Sequence, residues 1–94
     1  MIDEREFLER AHIDRTTLEV WVREEWLAPA GAPAGRAFTD MDVARAELIR
    51  DLKHNMGVND AGLDVILHLI DQMHGLRRAL SEALASMHER KPGA

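Results

Sequence analysis

Apolar residues recur every three or four positions along the C-terminal third of this 94-residue chain, with polar residues between them. The steps alternate 3, 4, 3, 4, 3, 4. This is a heptad pattern, and it predicts one long helix with a narrow apolar seam. A second apolar row widens the face only at the start of the helix, at Leu63, Leu67 and Ile70. The seam itself consists of Ile66, Leu69, Met73, Leu76, Leu80, Ala83 and Met87.

The change in width along this helix predicts two packing partners. The wide first half is expected to pack on its own subunit, and the narrow second half on the same helix of a second chain. The alternative is a monomer that folds the helix back on itself, which the short remainder of the chain disfavours. The predicted homodimer interface is Ile66, Leu69, Met73, Leu76, Leu80 and Met87.

The N-terminal third shows two shorter helical patterns separated by a turn. A first helix is predicted over residues 3–11 and a second over 15–25, for which Asp14 is a good N-cap. Two helices joined by so short a turn form a helix-turn-helix pair. The apolar face of the second helix comprises Leu18, Trp21, Val22 and either Trp26 or Leu27.

A third helix is predicted from Asp40 to about Asn55. Thr39 and Asp42 have the spacing of a capping box at its start. Gly57 is expected to end it, and Asn59 then caps the long C-terminal helix. The apolar stripe predicted for the third helix is Val43, Leu48, Ile49 and Leu52.

The remaining segments divide the chain into parts. Residues 28–35 are rich in proline and glycine and predict a loop, and residues 36–38 predict a short extended arm. The predicted organisation is all-α: a winged helix-turn-helix-like domain over 1–57, a dimerisation helix over 58–88, and a disordered tail over 89–94.

The charge distribution bears on the class of partner. The net charge is −5, and residues 1–27 alone contain eight acids and four bases. Nucleic-acid binders usually present a basic face, because neutralising phosphates supplies much of their affinity. The acid excess therefore favours a basic protein partner, or else a solvated acidic surface without a partner.

Catalytic, cofactor and metal sites are not indicated by the sequence. The absence of cysteine excludes disulfides and thiolate zinc sites, and no two of the five histidines are three or four residues apart. No nucleophile triad or phosphate loop can be identified, so a non-enzyme without a cofactor is expected. No apolar run approaches the ~18 residues of a membrane span. The charged N-terminus does not suit a signal peptide, so a cytoplasmic location is expected.

The order of these parts resembles MerR-type winged helix-turn-helix proteins. Arg15-Thr16-Thr17-Leu18, Arg23 and Trp26-Leu27-Ala28-Pro29 resemble the second helix of that family and its exit into the wing. Residues 36–43, Arg-Ala-Phe-Thr-Asp-Met-Asp-Val, resemble the junction between the wing and the next helix. The string at 57–67, Gly-Val-Asn-Asp-Ala-Gly-Leu-Asp-Val-Ile-Leu, is similar to a junction shared by HspR-type heat-shock repressors and CbpM-type chaperone modulators. The resemblance covers residues 5–88.

The departures from the family pattern lie in the second helix. DNA-binding members of the family usually have Thr-Leu-Arg-Tyr-Tyr, in which the Arg and the first Tyr face phosphates. Here the string is Thr17-Leu18-Glu19-Val20-Trp21, and Glu24 and Glu25 add further negative charge. An acid beside a phosphate is repelled, so this pattern disfavours DNA as a partner.

The resemblance to the CbpM type implies a chaperone modulator. Such a protein binds the J-domain of a DnaJ- or CbpA-like co-chaperone and inhibits its co-chaperone and DNA-binding activities. Glu19, Glu24 and Glu25 are the predicted contact with a basic helix of the J-domain, and a solvated helix face is the alternative. The alternative functions are a DNA-binding transcriptional regulator of the MerR/HspR kind and an interaction module with another role for its acidic surface.

Two further pairs of residues have alternative interpretations. Trp21 and Trp26 are expected to pack in or near the core rather than to serve as a recognition surface. Arg23 and Arg36 are expected to form surface ion pairs, with remnants of phosphate contacts as the alternative.

Overall fold

The computed structural model describes residues 1–90 and contains four α-helices. Among these residues no strand is longer than an isolated bridge, so the predicted all-α fold is confirmed. The chain divides into two compact units, residues 1–63 and residues 64 onward. The helices are α1 (Glu4–Ala11), α2 (Arg15–Arg23), α3 (Asp40–Arg50) and α4 (Asp60–Arg90), with a 3-10 turn at Pro33–Gly35 and a π-helical turn at Asp51–Asn55.

Helices α1 and α2 both begin at an aspartate cap. The Glu6 N–H donates to Asp3 Oδ1 over 2.8 Å, and the Thr17 N–H donates to Asp14 Oδ1 over 2.7 Å. His12 follows α1 in the left-handed conformation, with φ 58°, and the chain turns directly into α2. The helix-turn-helix pair and its Asp14 cap are therefore confirmed.

Helix α2 ends at Arg23, two residues before the end that the sequence predicts. The reason is a Schellman motif: the Glu25 N–H donates to the Val22 carbonyl and the Trp26 N–H to the Trp21 carbonyl, over 3.0 and 2.9 Å. Glu25 takes the left-handed position, with φ 64°. This reversal brings both Trp26 and Leu27 into the core, where the sequence predicted one of the two.

Helix α3 begins at the predicted capping box. The Asp42 N–H donates to Thr39 Oγ1 over 3.1 Å, and the Thr39 N–H donates to Asp42 Oδ2 over 2.9 Å. The chain remains helical to Asn55, as predicted, but the last turn is π-helical. In this turn the Met56 N–H donates to the Asp51 carbonyl, five residues earlier, over 3.1 Å. Gly57 then leaves the helix with φ 67°, as predicted.

The apolar stripe predicted for α3 is wrong at one position. Val43, Ile49 and Leu52 are buried as predicted, but Leu48 is exposed and Ala46 is buried in its place. The buried positions repeat every three residues, and Leu48 lies about 100° round the helix from Ile49. A leucine at that angle points away from the core.

The extended arm predicted over residues 36–38 is present and is held on both sides. Ile2 and Phe38 exchange two backbone hydrogen bonds of 2.8 Å, and Ala30 and Ala37 exchange bonds of 3.2 and 2.9 Å. The ring of Phe38 stacks on that of Phe7, with centroids 4.1 Å apart. The loop between Ala30 and Ala37 is thus a small wing tied to the N-terminus of the chain.

Helix α4 begins at the predicted Asn59 cap, whose Oδ1 accepts from the Gly62 N–H over 2.8 Å. Leu63, in the first turn of this helix, is fully buried and is the last residue of the first compact unit. The helix contains Glu89, which the sequence assigns to the disordered tail, and residues 91–94 of that tail lie outside the described residues.

Most of the predicted seam in the second unit is exposed to solvent. Leu67, which belongs to the second apolar row, is buried, and Ile66, the first residue of the seam, is half-buried. The other large seam residues are exposed in the single chain, from 48% to 72%: Leu69, Met73, Leu76, Leu80 and Met87. In the part of the chain that the structure describes, no helix is long and apolar enough to cross a membrane.

Candidate functional site

The candidate site lies on the outer side of α2, where the sequence predicts contact with a partner. The side chains of Leu18 and Trp21 are buried in the core on the inner face of the helix. Glu19 and Val20 lie between them in sequence and are exposed. The Asp14 cap fixes where the helix starts, and it therefore sets the direction in which the Glu19 side chain leaves the surface.

Arg36 approaches Glu19 from the wing arm. Its two terminal nitrogens donate to the two carboxylate oxygens of Glu19; the Nη2–Oε2 distance is 3.3 Å, and Nη1–Oε1 is the closer contact. The Arg36 side chain is only 7% exposed, whereas that of Glu19 is 48% exposed. This confirms the predicted ion pairing of Arg36, but its side chain is largely covered, and the residue as a whole is half-buried.

The pair belongs to a network of four charges that joins α1, α2 and the wing arm. Glu4 Oε2 accepts from Arg15 Nη2 and Nε over 2.8 and 2.9 Å, and Glu4 Oε1 lies 3.7 Å from Arg36 Nη1. Two carboxylates and two guanidinium groups therefore neutralise each other. The surface around Glu19 presents little net charge, although the sequence has an acid excess in this region.

The pKa values follow from this geometry. The hydrogen bond from Arg36 lowers the pKa of Glu19, with the charges of Arg36, Arg15 and Arg23 acting in the same direction against partial desolvation. The same hydrogen bond raises the pKa of Arg36. The hydrogen bonds from Thr17 lower the pKa of the Asp14 cap. All three groups are therefore held in their charged forms.

Glu24 and Glu25 lie apart from this network. Both side chains are exposed, and neither takes part in an ion pair or side-chain hydrogen bond within the described residues. Glu19 lines one open groove with Glu4 and Arg15, whereas Glu25 lines another with Val22 and Leu27. The three predicted contact residues thus divide into one neutralised acid and two unpaired ones.

Sequence reasoning missed the part played by Glu4 and Arg15. Glu4 lies on α1 and Arg15 on α2, and Glu19 and Arg36 also lie on different elements, so no periodicity within one helix or strand relates the members of either pair. The pair between Glu19 and Arg36 depends on the return of the wing arm, which brings Arg36, two residues before Phe38, near α2, and the sequence gives no signal for this return. Arg23, the other predicted member of a surface ion pair, has none among residues 1–90.

No three side chains of His, Cys, Asp or Glu lie close enough within the described chain to hold a metal ion. The predicted dimer residues all lie in α4, on the face described above.

Comparison with protein families identifies the fold. The model of the family described as MerR HTH family regulatory protein matches residues 2–83, which include the helix pair, the wing, α3 and most of α4. The chain belongs to the MerR HTH family. Searches of curated proteins and of solved structures gave no match.

Membership of the MerR HTH family allows Glu19 to be compared with the matching position of other members. The resemblance of residues 17–21 to the family's Thr-Leu-Arg-Tyr-Tyr string puts Glu19 where DNA-binding members have an arginine toward phosphate. In this MerR-family chain, that position and the wing arginine bind each other. The Arg36 guanidinium can therefore bind a phosphate only if this pair breaks.

Proposed function

We propose that this MerR-family protein is a chaperone modulator of the CbpM type, which binds the J-domain of a DnaJ- or CbpA-like co-chaperone. By occupying the J-domain it inhibits both the co-chaperone activity and the DNA binding of that partner. The observation that carries the proposal is the ion pair between Glu19 and Arg36. It occupies the wing arginine that could otherwise hold a phosphate beside α2.

The unpaired acids support a basic protein as the partner. Glu24 and Glu25 remain exposed and without an ion pair in the described chain, so their charge is available to a partner. A J-domain offers a basic helix with which it engages an Hsp70-type protein. An acidic surface that binds this helix competes with the Hsp70 and also covers positive charge that would face DNA. Glu19 belongs to the proposed surface through the exposed half of its side chain.

A homodimer through α4 is part of the same proposal. Its interface is formed by Ile66, Leu69, Met73, Leu76, Leu80 and Met87, of which all but Ile66 are large exposed apolar side chains in the single chain. Apolar side chains at alternating steps of three and four residues pack against an equivalent seam on a second helix. A soluble protein rarely leaves so long an apolar row in water.

The proposal assigns no enzymatic activity and no cofactor to the protein, consistent with a family of regulatory proteins. It places the protein in the cytoplasm, where such co-chaperones act. The test is inhibition: the purified protein is added to an Hsp70 whose ATP hydrolysis is stimulated by a J-domain. The proposal predicts that stimulation falls as the protein is added while the basal hydrolysis stays constant. Unchanged stimulation at saturating protein would contradict it.

A DNA-binding regulator of the MerR/HspR kind is the second candidate, and the family match is the observation that favours it. A gel-shift series separates the two functions. At about 150 mM salt we expect nothing tighter than the roughly 10⁻⁴–10⁻⁶ M of non-specific binding. A nanomolar, sequence-dependent shift would favour the transcriptional regulator instead.

A further inference from the structure

An open apolar groove lies between the end of α2 and the wing loop. Its volume is about 630 Å³. Val22 and Pro29 are half-buried, Leu27 is almost fully buried, and Ala28 and Pro33 are exposed. These side chains offer apolar surface without a polar hydroxyl or amide group, so an apolar side chain of a partner can replace the water there.

The charge at the groove is negative. Glu25 lines the groove, and its carboxylate forms no ion pair or side-chain hydrogen bond in the described chain. Arg36 also lines the groove, but Glu19 and Glu4 hold its guanidinium group. The arginine therefore neither neutralises Glu25 through a contact nor presents a free positive charge to a partner.

The position of Glu25 is fixed by the backbone. Glu25 lies in the Schellman motif that ends α2, where its own amide and the amide of Trp26 both donate hydrogen bonds to carbonyls of the helix. The next residue, Trp26, is buried. A side chain that leaves from a rigid turn loses less freedom on binding than one on a mobile loop. The Glu25 carboxylate therefore lies at the rim of the groove, on a backbone that hydrogen bonds hold in place.

We propose that this groove is the docking site for a basic amphipathic helix, with an apolar side chain of the helix between Val22, Pro29 and Pro33 and a lysine or arginine on Glu25. The inference rests on the proposed function, because the basic helix of the J-domain is its occupant. The charge complementarity selects this occupant. In an amphipathic helix, a cation three or four residues from an apolar residue lies beside it on the same surface, which matches an acid at the rim of an apolar groove.

The test measures binding of an isolated J-domain to the full-length protein and four single variants. Ala28→Trp fills the groove, and Ala32→Trp places the same bulk in the same loop, outside the groove residues. Glu25→Gln removes the rim charge, and Glu47→Gln removes one unpaired exposed charge from α3. Circular dichroism and thermal unfolding show whether each variant folds; because Glu25→Gln preserves shape, it keeps the test decisive if a tryptophan variant does not.

The expected results separate the groove from its surroundings. Ala28→Trp should weaken binding about tenfold or more, because the apolar contact is lost, and Glu25→Gln should weaken it about threefold to tenfold. Ala32→Trp and Glu47→Gln should bind as the wild type does. If the wild type binds and the two groove variants bind equally well, the groove is not the docking site, although the proposed function stands.

A second probe decides the case in which the wild type binds no J-domain and the proposed function fails. The probe is a synthetic amphipathic helix of leucine and lysine, added to isotope-labelled protein for amide chemical-shift mapping. Shifts at Val22, Glu25 and Ala28 that Ala28→Trp abolishes would keep the groove as a site for basic helices. The absence of such shifts would overturn the groove together with the function.

Discussion

Arg36 and Glu19 bind each other through both terminal nitrogens of the guanidinium and both oxygens of the carboxylate. The arginine is the residue of the extended arm that reaches α2, and the glutamate stands where related DNA-binding chains carry an arginine. One contact therefore ties the wing to the helix pair and occupies the guanidinium of the wing arm. It also gives the largely covered guanidinium of Arg36 a charge-assisted partner.

The Glu19–Arg36 pair makes the stability of the folded chain depend on pH in the acidic range. The pKa of Glu19 is lower in the folded chain than its usual value of 4.5. Its contribution to stability is therefore fully present above that value and is lost as the pH falls through the lower, folded pKa. We expect the thermal unfolding midpoint to fall between about pH 5 and about pH 3, and to fall less steeply in Glu19→Gln.

The control for this pH series is Glu9→Gln. Glu9 Oε1 lies 3.8 Å from Arg5 Nε in an exposed ion pair, and such pairs contribute little to the free energy of unfolding. Its variant should follow the wild-type curve. Equal slopes for Glu19→Gln and the wild type would show that the pair with Arg36 does not stabilise the folded chain.

Glu25 occupies a backbone position that usually belongs to glycine. Its φ of 64° is unfavourable for a side chain with a Cβ, at a cost of about 1–2 kcal/mol. Glu25→Gly should therefore raise the free energy of unfolding by about 0.5–1 kcal/mol while it weakens partner binding. Denaturant unfolding is the measurement. Glu24→Gly is the matched control and should not stabilise, because Glu24 has a right-handed φ of −75°. A Glu25→Gly protein less stable than the wild type would refute the strain.

Much of this fold could be predicted from the sequence, because its signals are local. Asp14, Thr39 and Asn59 act on amide groups within three residues, and each caps the predicted helix. The end of α2 was not predictable in the same way. Glutamate gives no signal for a left-handed turn, and the burial of both Trp26 and Leu27 depends on packing against distant parts of the chain.

The candidate site was predictable only in part. The charge reversal at Glu19 is visible in the sequence, and the tie of Glu19 to Arg36 is not, because it depends on how the arm returns between Ile2 and Ala30. Glu24 and Glu25 form no ion pair within the described residues. The pairing of Glu19 divides the predicted trio into one paired acid and two unpaired ones.

The α4 seam predicts the oligomeric state. Leu76→Asp introduces a charge at the most exposed large residue of the seam, and a dimer would have to bury that charge without a partner. The expected cost to dimer stability is several kcal/mol. Analytical ultracentrifugation should show a dimer for the wild type and a monomer for this variant. Ser81→Asp, off the seam on the same helix, should stay dimeric. A wild-type protein that is monomeric at micromolar concentration would contradict the interface.

The most direct test of the central claim is the rate at which the protein binds an immobilised J-domain. Surface plasmon resonance at two salt concentrations compares the wild type with the double variant Glu24→Lys and Glu25→Lys. Glu19 is left unchanged so that its pair with Arg36 stays intact. A double variant of Glu47→Lys and Glu82→Lys, with the same change in net charge, is the control.

The account predicts that the wild type associates faster at low salt. It also predicts that the double variant at the end of α2 loses about tenfold in association rate together with most of the salt dependence, while the control retains both. A wild type that does not bind at micromolar concentration, or an α2 variant that associates as fast as the wild type at both salt concentrations, would contradict it.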